Sequence, residues 1–180
     1  MIKNRQDYLD YLGAHWVACE VPKTSGLYLR AKRVFFPNYI WNFVRLLRRA
    51  EYHHNCGHRL RYILVAYRLS HSSSKLGPSI PINCFGPGLD IAHTGGINVS
   101  SRARIGCNCK IYPGVTVGTG SDGIASPRLG DSIHIGTGAA IIGDIDIADD
   151  IAIGANAVVV HSFTRPGITL AGVPARKVPD

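Results

Sequence analysis

The sequence predicts a mainly β protein, a parallel β-helix of hexapeptide repeats preceded by an α-helical region. Two observations carry this prediction. Counted in sixes, Val99, Ile105, Ile111, Val117, Gly123, Leu129, Ile135, Ile141, Ile147, Ile153 and Val159 are aliphatic at ten of eleven positions. The composition also divides near residue 75, with 12 of 15 aromatic residues before it and 17 of 20 glycines after it.

A period of six matches neither a helix at about 3.6 residues per turn nor the spacing of a simple sandwich. It is the pattern of a solenoid in which each six is a short strand and a corner. Four residues after each aliphatic position stand Ala103, Cys109, Val115, Ser121, Pro127, Ile133, Ala139, Ile145, Ile151, Ala157 and Phe163. The two series are expected to point inward and stack coil upon coil. Only around Gly123 do both fail, so residues 118–128 should leave the coil as an external loop, and loops on rigid scaffolds commonly carry binding groups. Residues 76–180 are thus expected to form the β-helix domain with that loop and a C-terminal tail.

Residues 1–75 read as helical. Ile40, Phe43, Val44 and Leu47 repeat with the spacing of one helix face, and Asn38 is placed to cap its N-terminus. A second helix is expected over residues 59–71 with Leu60, Leu64 and Tyr67 on one side, and a weaker one over 5–17 with Leu9, Leu12 and Trp16. Arg45, Arg48 and Arg49 should lie mostly off the apolar face. The helices are expected to cap the N-terminal end of the solenoid.

The formal charge is +8, and all the excess is N-terminal: residues 1–75 hold 13 basic and 4 acidic side chains against 7 and 8 in residues 76–180. Interleaving with apolar residues favours solvated helix faces, with an acidic polymer or peripheral membrane contact as the alternative. No nucleic-acid-binding motif accompanies the charge. No apolar run reaches the roughly 20 residues of a membrane span, and the polar start lacks a signal-peptide core, which makes a cytoplasmic location the expectation. Five cysteines (Cys19, Cys56, Cys84, Cys107, Cys109) suit free thiols better than a disulfide framework, with Cys109 a packing residue. His134 should point outward and His161 occupies a third position in its repeat, so with His93 they do not converge on a metal; His53, His54 and His58 read as surface or capping residues.

Residues 86–99 (GPGLDIAHTGGINV), the hexapeptides, VTVGTG at 115–120 and AGVPARKV at 171–178 resemble the left-handed β-helix acetyltransferases. The nearest resemblance is to serine acetyltransferases and their short relatives in polysaccharide clusters. It covers about residues 78–180, and the N-terminal helices look like a shortened form of that family's helical domain.

The resemblance implies a left-handed β-helix, acetyl-CoA as co-substrate, no metal, and a homotrimer or dimer of trimers with active sites in clefts between neighbouring coils. His93 corresponds to the catalytic base, which suits an alcohol that must lose its proton as it attacks a thioester near neutral pH. Backbone at Gly95, Gly96, Gly118 or Gly120 is a candidate for oxyanion donors. Backbone groups near Gly118, Thr119, Ala139 and Ala155 would contact the pantetheine arm, and Arg176 and Lys177 would neutralise the phosphates.

Two family motifs are missing. The segment carrying the carboxylate partner of the histidine aligns with Pro78-Ser79-Ile80-Pro81, leaving Asn83 or Asp90 to orient His93, and the basic pair that holds a substrate amino acid aligns with Ile124-Ala125-Ser126-Pro127. The acceptor is then L-serine or another small hydroxyl compound, a sugar being the alternative. A non-catalytic β-helix scaffold is the rival class.

Overall fold

The computed structural model describes residues 1–18, 38–121 and 123–179. Among these, α1 (Arg5–Ala18), α2 (Tyr39–Asn55) and α3 (Arg59–Leu76) precede a stack of short strands. Asn38 caps α2 by accepting the Trp41 N–H at 2.9 Å. Gly77 ends α3 in the left-handed region at φ 95°, its N–H donating to Ser73 at 2.8 Å. None of these helices is long and apolar enough to cross a membrane.

The strands form the three faces of a left-handed β-helix. One face stacks β1 (Pro78–Ser79), β3 (Ile97–Val99), β6 (Thr116–Gly118), β9 (Ala140–Ile142) and β12 (Val158–Val159). The second holds β4 (Arg104–Ile105), β7 (Arg128–Leu129) and β10 (Asp146–Ile147). The third runs through β2 (Asp90–Ile91), β5 (Lys110–Ile111), β8 (His134–Ile135), β11 (Ala152–Ile153) and β13 (Thr169–Gly172) to β14 (Ala175–Lys177). All pairings are parallel except the closing β13–β14 hairpin.

Both predicted inward series line the core: Ile111, Ile133, Ile135, Ala139, Ile141, Ala157 and Val159 are fully buried. Cys109 is among them, so its thiol is a filler held strongly toward the protonated form by burial. Cys56, Cys84 and Cys107 are also free thiols, and Cys19 lies outside the described residues.

The coil steps explain the irregular stretch. Val99 pairs with Val117 eighteen residues on, Val117 with Ile141 after twenty-four, and Ile141 with Val159 after eighteen. The loop is therefore a six-residue insertion, and a sixfold count passes through it without losing register. At its base the hydroxyls of Ser100 and Ser126 lie 2.9 Å apart, and Ser126 is buried. Along one corner, Asp131 Oδ1 accepts the Cys107 N–H at 2.7 Å and Asp149 Oδ1 accepts the Asp131 N–H at 2.8 Å, tying each coil to the next.

Phe43, Val44 and Leu47 of α2 pack on the first coil as their spacing predicts, sharing a cluster with Ile80, Cys84 and Phe85. Arg48 departs from expectation, because it is fully buried rather than off the apolar face. Its Nη1 donates to both oxygens of Glu51, at 3.2 and 2.9 Å, and to the Phe85 carbonyl at 2.9 Å, while Nη2 donates to the Gly86 carbonyl at 2.5 Å. Glu51 in turn accepts the Asn83 N–H at 2.9 Å, and the Tyr11 ring of α1 faces the guanidinium at 4.9 Å. One helical turn thereby satisfies polar backbone that the end of a solenoid would otherwise leave buried and unpaired.

The other two helices also depart from the predicted faces. In α1 the buried residue is His15, stacked on Trp41 at 5.0 Å, whereas Leu9 is exposed. In α3 the stripe of Leu60, Leu64 and Tyr67 faces outward, and Val65 on the opposite side is buried. Hydrophobic spacing identified the helix but not which side meets the core.

Replacing Arg48 with Met leaves Glu51 buried without its counter-charge, and the expected loss is about 3–5 kcal/mol in denaturant unfolding. His15 gives a pH-dependent counterpart. Burial foremost, with Arg48 adding to it against a hydrogen bond to the Leu89 backbone, lowers its pKa from 6.5 to about 4. The unfolded chain takes up this proton first, so stability should fall by about 3 kcal/mol as pH drops from 6.5 to 4 and stay flat above. Unfolding free energies measured across that range should lose most of this slope in His15→Phe.

Candidate active site

The corner that follows β2 carries His93, whose ring is exposed. Strand stacking sets its neighbours: in successive coils Tyr112, Gly136 and Gly154 follow Ala92 in register, and Pro113, Thr137 and Ala155 follow His93. The Tyr112 ring meets the His93 ring edge-on at 6.3 Å. Lys110 Nζ lies 5.9 Å from the Tyr112 ring centre and 3.4 Å from an Asp90 carboxylate oxygen. Asp90, Lys110, Tyr112 and His93 thus form a connected polar and aromatic edge on one side of the corner.

On the other side is the face built from β1, β3, β6, β9 and β12. Asn98, Thr116, Ala140 and Val158 are in register along its outer surface, while Val99, Val117, Ile141 and Val159 fill its inner one. Below Asn98 the outer residues are small or β-branched, so the wall is shallow and flat. His93 stands at one margin of this wall; Gly118 and Thr119 lie at the other, where the inserted loop departs. Arg102 Nη1 holds that loop through the Ile124 carbonyl at 3.0 Å.

The positions expected from sequence divide into three groups. His93, Gly118, Thr119 and Ala155 all border the wall. Arg176 and Lys177 sit on β14, at the far edge of the six-stranded face from β2, about 24 Å away at about 4.8 Å per strand. Arg176 is exposed and Lys177 half-buried. Ala139 directly precedes Ala140 of the wall but turns its side chain into the core, its N–H donating to Gly136 at 3.2 Å and its carbonyl accepting from Thr116 at 2.9 Å.

The two residues suggested as orienting His93 have other partners. Asn83 exchanges two side-chain hydrogen bonds with Asn55 of α2, at 2.9 and 3.0 Å, and so fastens helix to coil. Asp90 pairs with Lys110 as described. Among the glycines, the N–H of Gly95 donates to Leu76 at 2.9 Å and that of Gly120 to Ala125 at 3.2 Å, so these two donors are already engaged. Tyr112 was missed in the sequence. Its signal is positional, because it directly follows inward Ile111, which pairs with Ile91 two residues before His93.

The remaining histidines are dispersed. His134 and His161 are exposed, and His53 lies 3.3 Å from His58 through their Nδ1 atoms. Among the described residues no cluster of His, Cys, Asp and Glu has the arrangement of a metal site.

No family model matches this sequence, and no curated protein matches it by sequence search. Solved structures do match. A serine acetyltransferase from Brucella abortus superposes with a TM-score of 0.76 at 27% identity, over 96% of this chain and 69% of that one. One from Neisseria gonorrhoeae, in complex with serine, gives 0.76 at 27% identity over 97% and 70%. A serine acetyltransferase in complex with CoA gives 0.74 at 26% identity over 97% and 70%. These matches support an acyltransferase. The matched share of this acyltransferase extends well beyond the solenoid.

Proposed function

We propose that this acyltransferase moves an acetyl group from acetyl-CoA directly to the hydroxyl of L-serine or a similar small acceptor, with His93 as general base. The single observation that carries the reading is the placement of an exposed imidazole at the margin of a flat wall, in a fold whose solved neighbours include a CoA complex and a serine complex.

Acetyl-CoA would lie along the wall of Asn98, Thr116, Ala140 and Val158, its thioester toward His93. Gly118, Thr119 and Ala155 border that path, and Arg176 and Lys177 at the distant edge suit the phosphates of a long substrate. The imidazole takes the acceptor hydroxyl proton as the oxygen attacks the thioester carbon. Collapse of the tetrahedral species breaks the carbon–sulfur bond, and the imidazolium returns the proton to the departing thiolate. Both substrates occupy the site together, and no acyl-enzyme is required. Tyr112 is the residue best placed to steady the histidine ring, in the absence of the family's carboxylate.

The exposure of His93 on one protomer also favours a homotrimer in which a neighbouring subunit closes the wall into a cleft. One feature favours a sugar hydroxyl over serine. The inserted loop has Ile124, Ala125, Ser126 and Pro127 where serine acetyltransferases hold a basic pair, and Ser126 is turned inward on Ser100.

Release of free thiol from acetyl-CoA, with L-serine and then a panel of sugars and sugar nucleotides as acceptors, tests this reading. Turnover should fall by roughly 10²–10⁴-fold in His93→Ala, with unchanged thermal unfolding. Full activity in that variant would remove His93 from the mechanism, and silence with every acceptor would favour the scaffold. Filling the wall with Ala140→Trp should raise the KM for acetyl-CoA at least about tenfold while leaving the fold intact.

A further inference from the structure

The outer face of α3 is built the wrong way round for a helix that only supports a solenoid. Leu60, Ile63, Leu64 and Tyr67 follow one another at i, i+3, i+4 and i+7, and are 85%, 63%, 63% and 73% exposed. An apolar stripe of this length on the side away from the core packs against none of the core that the described residues form. Arg61 and Arg68 border the stripe along one side and Arg59 along the other.

A cleft of about 420 Å³ opens beside that stripe, between α1, α2 and α3. Arg5, Arg49, Arg61 and Arg68 line it with His53 and Leu64, so the arginine cluster and the apolar stripe share one surface. Arg45 extends the positive charge into an adjoining cleft that also contains Arg49 and Arg68. Among the described residues none of these arginines is paired with a carboxylate. The reason is in the sequence: α3 has no acidic residue, and the one on α2, Glu51, is turned inward on Arg48. His53 registers the field, since burial first and then His58, Arg61 and Arg49 lower its pKa.

We infer that this face seats the protein on an anionic lipid surface, with Leu60, Ile63, Leu64 and Tyr67 entering the acyl boundary and Arg49, Arg61 and Arg68 holding headgroup phosphates. An apolar stripe edged by unpaired arginines is complementary to that surface in both respects: apolar area enters the boundary, and guanidinium forks match phosphate oxygens. A soluble phosphate compound would use the cleft but leave the stripe in water. A second copy of this chain would cover the stripe but bring two positive faces together.

Co-sedimentation of the full chain with vesicles of phosphatidylcholine, alone or with one third phosphatidylglycerol, tests the proposal. Binding to the anionic vesicles should be at least about tenfold tighter and should weaken with added salt. The pairs Leu60→Glu/Leu64→Glu and Arg61→Glu/Arg68→Glu should each lose about tenfold or more, with unchanged melting because all four side chains are exposed. Absent or charge-independent vesicle binding overturns it. So does a thermal shift with inorganic phosphate or pyrophosphate in a protein that ignores vesicles, which gives the cleft to a soluble ligand. Dissociation of an oligomer by Leu60→Glu/Leu64→Glu, read by light scattering, would give the stripe to a second copy and overturn it equally.

Discussion

The buried guanidinium of Arg48 fixes how the two halves of the molecule meet. A parallel β-helix ends in a coil whose backbone groups have no further coil to pair with. Arg48 answers this by donating to the carbonyls of Phe85 and Gly86, while Glu51 both neutralises it and accepts the Asn83 N–H. A buried ion pair adds little net stability over an apolar substitute, but a displaced one leaves charges and amides unpaired. Its effect is therefore to set position: α2 can sit on the coil in one way, and Tyr11 and His15 of α1 then pack around the same charge.

That placement has two consequences. Because Glu51 is taken into the core, the outer surfaces of α2 and α3 are left with arginines and no carboxylate of their own. Because α3 packs through Val65, Leu60 and its apolar neighbours are left on the outside. The basic cleft and the exposed stripe thus follow from the same choice that seals the solenoid.

The solenoid positions the catalytic candidates by arithmetic alone. Coils of eighteen residues bring Thr116 beneath Asn98 and Val158 beneath Ala140, and the six-residue insertion lengthens one step without turning any later side chain to the wrong face. His93 and Tyr112 meet because Ile91 and Ile111 are paired. The loop can therefore change its residues while the wall and the histidine stay in place.

Much of this was legible in advance. The hexapeptide series identified the fold, the inward residues, the loop and the core role of Cys109, because a period of six in aliphatic residues has only one way to bury them. His93 is a candidate only through the motif around it. Ala139 has its side chain in the inward series, so only its backbone reaches the outer surface. Tyr112 went unnoticed because corner positions carry no periodic hydrophobic signal.

By itself the sequence determined the solenoid and its register, since these depend on local spacing repeated many times. Only the tertiary structure decided which face of α3 and α1 is buried, that Arg48 lies inside, and that Asn83 joins Asn55 rather than the site. Each of these depends on a partner far along the chain: a helix offers several faces at similar cost, and the coil it meets selects among them by the polar groups it leaves unpaired.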